Sequence, residues 1–178
     1  MRMRGGWAWA LAVAVMSAAW ARSGWTDTVK AQGLAFDLPD GWVQQAPSSG
    51  MRLAQAAIPG EAGAGELAVF HFGPGGGGGV EANLERWLGQ VEPAPGTKPS
   101  RAQFDVGGLQ VTWVETAGTL KAGMMGMGPA KAQPGSRLFG AVIEGPGGPW
   151  FIKATGPDAT LSAAQDDFIA LLHTVRAP

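Results

Sequence analysis

Three methionines within four residues, Met124, Met125 and Met127, are the only clustered soft ligands in the chain. Thioethers select Cu(I) in an oxidising compartment, and three sulfurs in one loop can converge on one ion, so these residues form a candidate metal site. The competing reading is that methionine fills gaps or caps apolar surface. No histidine stands near the three in sequence.

The two histidines, His71 and His173, invite a second kind of chemistry. His71 falls in an apolar strand pattern, and His173 near a helix C-terminus, where the macrodipole favours a cation. A hydrolase would need a serine beside one of them. Ser48, Ser49, Ser100, Ser136 and Ser162 fall in loops or a helix, without the G-x-S-x-G elbow. Gly75 to Gly79 precedes a helix, as a phosphate cradle would. The Lys and Ser/Thr of a Walker loop are replaced by Val80-Glu81-Ala82, however, and Glu81 would repel an anion there. The run reads as a flexible link. Asn83, Glu85 and Arg86 stand beside Trp87 on the helix that follows, and Arg86 and Lys153 can flank a shallow pocket with Trp150. No catalytic set and no organic cofactor emerge, so the expectation is a protein that is not an enzyme.

The 178 residues suit one domain behind a leader. Arg2 and Arg4 precede an apolar stretch, Trp7 to Ala21, of 15 residues, and Ala19-Trp20-Ala21 offers a small-x-small cleavage pattern. The expectation is a Sec-type signal peptide over 1–21, cleaved near Ala21, and a periplasmic or secreted domain over 22–178. An uncleaved leader, the rival reading, is the one expected route to a membrane, since the stretch is short of the ~20 residues of a spanning helix. Without Arg2 and Arg4, the 13 basic residues become 11 against 14 acidic ones. That balance gives no basic excess for nucleic acid. The absence of cysteine removes disulfides and thiol chemistry, leaving stability to an apolar core.

The elements follow from periodicity. Leu34, Phe36 and Leu38 alternate with Ala35 and Asp37, and Pro39-Asp40-Gly41 supplies a turn, so 33–42 predicts a strand and a hairpin into Trp42. Met51 to Ile58 reads as a strand. Glu66 to Phe72 carries Leu67, Val69 and His71 on one side and Ala68, Phe70 and Phe72 on the other, the pattern of a strand covered on both faces. Val80, Leu84, Trp87, Leu88 and Val91 mark an amphipathic helix. Ala102–Val106 and Leu109–Thr116 form a hairpin around Gly107-Gly108, with one face of the second strand expected in water. Residues 121–136 lack periodicity and read as a long loop. Leu138–Glu144 and Pro149–Thr155 flank Gly145-Pro146-Gly147-Gly148 as a further hairpin. Pro157-Asp158 then opens a helix whose stripe is Leu161, Ala164, Phe168, Leu171, Leu172 and Val175.

The fold class is therefore α+β, a mainly antiparallel sheet built from hairpins with helices packed on its faces. In this order, and in GLAFDLPDGW at 33–42, the chain resembles the PsbP/Mog1-like fold, an α/β/α sandwich. It is also similar to a group of uncharacterised exported bacterial proteins through MRLAQ (51–55), GGVEANLERWLGQ (78–90), RLFGAVIE (137–144) and FIKATGP (151–157). The resemblance implies an accessory role, binding an unknown protein or small-molecule partner, and transfers no functional residue. Periplasmic Cu(I) binding through Met124, Met125 and Met127 is the alternative.

Overall fold

The computed structural model describes residues 25–123 and 129–177. The expected leader over 1–21 and Met124, Met125 and Met127 lie outside the described residues. The chain is a mixed α+β fold, mostly antiparallel sheet with few helices. Strands β1 (Trp25–Ala31) and β2 (Leu34–Pro39) pair as a two-stranded ribbon. The main sheet has the order β3 (Val43–Gln45), β4 (Ala54–Ile58), β5 (Gly65–His71), β10 (Trp150–Pro157), β9 (Gln133–Glu144), β8 (Leu109–Leu120) and β6 (Val91–Pro93). Strand β7 (Ser100–Val106) pairs with β8 beside β6. The helices are α1 (Val80–Leu88), α2 (Asp158–Ala163) and α3 (Gln165–His173).

Alternation along the central strands supplies two separate apolar clusters. In β9, Phe139, Ala141 and Ile143 join the cluster that contains Leu161, Phe168, Leu171 and Leu172 of the last two helices. Their neighbours Leu138 and Val142 join Leu84 and Trp87 of α1. The ribbon adds Val29, Leu34, Phe36 and Leu38 to the larger cluster. The side chains of α1 sit down closely because β9 is glycine at 140: a Cβ there would overlap the Trp87 ring. The strands expected within 33–42 and over 66–72 are present as Leu34–Pro39 and Gly65–His71, and so are both glycine-turn hairpins, β7–β8 and β9–β10.

Several expectations are corrected. The turn at Pro39-Asp40-Gly41 exists, with the Trp42 amide donating to the Pro39 carbonyl at 3.1 Å, but it makes no hairpin. Strand β2 returns to β1, and β3 passes to β4. A local turn fixes chain reversal; the partner is chosen by which register buries Leu34, Phe36 and Leu38. The fourth strand starts at Ala54 rather than Met51. Val91, expected on the α1 stripe, opens β6 instead and remains buried. Strand β8 exposes little: Val111, Thr112, Trp113 and Val114 are all buried, and the exposed face belongs to its partner β7. The loop expected over 121–136 ends sooner, because 133–136 already belong to β9, with Gln133 opposite Leu120. The closing helix breaks in two at Ala164, whose φ of −94° and ψ of 5° leave the helical range, yet its whole apolar stripe stays buried.

Candidate functional site

Cross-strand register brings the polar residues together. Gln55 of β4 lies opposite Ala68 of β5, and Ala68 opposite Lys153 of β10. Paired residues of an antiparallel sheet share a face, so Gln55, Ala68 and Lys153 form one row. The rows on either side carry Phe70 with Phe151, and Glu66 with Thr155. Phe151 belongs to the α1 cluster, which puts all of these residues on the α1 side of the sheet. Helix α1 rests chiefly on β8 and β9. The part of this face formed by β4, β5 and β10 carries the polar row, with Gln55 and Ala68 both buried in it.

Arg52, just before β4, donates to Glu66 at 2.7 Å and to Gln55 Oε1 at 2.9 Å. Gln55 is 7% exposed and fully engaged: its amide nitrogen donates to Glu66 at 3.0 Å, and its oxygen accepts from the Ser48 amide. On the helix side, Lys153 Nζ donates to Gln90 Oε1 at 2.5 Å. Burial first, and then the positive charges of Arg52 and Arg86, push the Lys153 ammonium down from its ordinary 10.5 to about 8, while Glu66 pulls it partly back.

Arg86 is held by the glycine run. Asn83, 1% exposed, donates from Nδ2 to the Gly77 carbonyl at 2.8 Å and the Gly79 carbonyl at 2.9 Å, and its Oδ1 accepts from Arg86 Nη2. The run is thus no flexible link. Gly77 takes φ 78°, and a Cβ there would strike the Phe151 and Phe72 rings. Nor is it a phosphate cradle: carbonyls point inward at Asn83, and Glu144 lines the cleft beside it. Replacing Asn83 by alanine leaves two carbonyls without this donor and frees Arg86. Urea unfolding should record a loss of about 1–3 kcal/mol. An unchanged midpoint would mean that the loop holds itself.

The charges of this cluster do not balance. Among the described residues, Arg52 pairs with Glu66, Arg101 with Glu81, Arg137 with Glu115 and Asp158, and Arg176 with Asp37. Arg86 is the one described arginine outside any ion pair. Lys153, the one described lysine that is not fully exposed, has none either. These two unbalanced cations are neighbours.

Of the residues singled out from sequence, Asn83, Arg86 and Lys153 meet here. Trp150 does not: it is buried in the opposite cluster, with Nε1 donating to the Ala31 carbonyl at 3.1 Å. Glu85 is exposed. His71 Nδ1 donates to the Pro149 carbonyl at 2.9 Å and its ring stacks on Trp150; His173 stacks on Phe104. Arg52, Gln55, Glu66 and Gln90 were missed. The spacing of Arg52 and Gln55 gave no signal, because what joins them to Lys153 is strand register. The chain matches no family model, and no curated protein resembles it in sequence.

Proposed function

We propose that this is an exported, non-enzymatic binding domain, an α/β/α sandwich of PsbP/Mog1-like layout, and that it binds a small ligand at the cluster of Arg52, Arg86 and Lys153. The observation that carries the reading is the adjacency of two cations outside any ion pair, one of them half-buried against the end of α1. Folding alone gives no reason to keep a charge where desolvation opposes it; perturbed groups of this kind gather at functional sites. The sandwich layout is supported by the two clusters drawing on alternate residues of β9.

Native mass spectrometry of the protein purified from its own host tests this reading. The expected result is a chain starting at Arg22 that carries a small molecule, lost in Lys153→Met. A bare chain would contradict it. Copper lost on replacing both Met124 and Met125 by alanine would favour the alternative instead.

A further inference from the structure

Resting on that binding reading, we infer that this cluster recognises the phosphate of a small organic monoester, held between Arg86 and Lys153 with the organic body lying toward Phe70 and Phe72. Three cations, Arg52, Arg86 and Lys153, face one carboxylate, Glu66, which already engages Arg52. Two positive charges remain, close together, so the two negative charges that balance them belong on one compact group. A phosphate monoester carries about −1.5 to −2 near neutral pH. A dicarboxylate spreads the same charge over two separated ends.

The donors suit a tetrahedral anion. Lys153 supplies a point charge from the sheet, and Arg86 a planar fork from the helix. Buried Asn83 holds the Arg86 guanidinium, and Gln90, just past the end of α1, accepts from the ammonium. Gln55 and Glu66 already engage Arg52, so an incoming anion is left the other two cations. The row beside Lys153 carries Phe70 and Phe151. Phe72, 48% exposed, packs against both rings, with centroids 6.4 Å and 5.8 Å away. A cationic spot thus adjoins an exposed aromatic edge, the pairing that fits an ester with an apolar or aromatic body.

The test is calorimetric titration of the folded chain with inorganic phosphate, phenyl phosphate and succinate at neutral pH and low salt. The expected result is one-to-one binding of both phosphates, the phenyl ester about tenfold tighter by burial of its ring. Arg86→Gln and Lys153→Met should each weaken both phosphates at least tenfold, Arg86→Lys less, and Phe72→Ala should remove only the advantage of the phenyl ester. Arg86 is exposed, so its variants keep the fold. Failure of both phosphates to bind overturns the inference, as does binding indifferent to Arg86 and Lys153. Succinate binding that needs the same two residues overturns the phosphate assignment and leaves the binding reading standing; a bare chain in the native mass measurement removes that reading itself.

Discussion

Phe168→Ala should lower the unfolding free energy by roughly 3–5 kcal/mol, the usual cost of removing a buried ring. Phe168 is 0% exposed and lies at the centre of the larger cluster. Its ring centroid is 4.9 Å from that of Phe139 on β9 and 6.2 Å from that of Trp113 on β8. Alanine removes the contacts that tie α3 to both strands at once. With no disulfide available, no covalent tie limits the loss. For a domain of this size, each kcal/mol moves the melting point by about 2–4 °C, so calorimetry as well as urea unfolding will read it. A change below about 1 kcal/mol would mean that the helix is not held by this ring.

Phe168 was legible in the sequence because helix burial has a period that one stretch displays in full. Leu161, Ala164, Phe168, Leu171, Leu172 and Val175 were all read as one buried face, and all are buried even though the helix breaks beneath them. Hairpins closed by glycine turns were legible for the same reason: strand, turn and return are contiguous. The pairing of β1 with β2, and the passage of β3 to β4, were not, because a turn does not name its partner strand. The site lies beyond local reading too. Gln55, Ala68 and Lys153 are joined only by register across three strands. Trp150 and Lys153 are three residues apart on one strand, so their side chains leave opposite faces, and the two cannot share a pocket.

Lys153→Met should stabilise the protein while abolishing its proposed binding. Methionine matches the length of the lysine stem and needs no hydration, and replacing poorly compensated buried charge by apolar volume is often neutral or favourable by about 1–4 kcal/mol. Because Lys153 is only half-buried, the gain belongs at the low end, near about 1 kcal/mol. The pH dependence gives a sharper signature. The folded-state value is lowered, to about 8 from 10.5, so between these limits the unfolded chain holds more protons than the folded one. Wild-type stability therefore gains a rising component from pH 8 to 10.5. Below pH 8 the lysine is charged in both states and its cost is fully present; above 10.5 it is neutral in both and the cost is gone. The advantage of Lys153→Met is expected to be largest below pH 8 and to fade across that window. A destabilised variant, or an advantage that grows with pH, would contradict this. A residue whose removal strengthens the fold is retained for something other than folding.

The most direct measurement is an NMR titration of the Lys153 side-chain nitrogen in the free, folded protein. A midpoint near 8, rising when phenyl phosphate is added, is the result expected of an ammonium confined beside Arg52 and Arg86. A midpoint at the ordinary lysine value, unmoved by the ester, would contradict it.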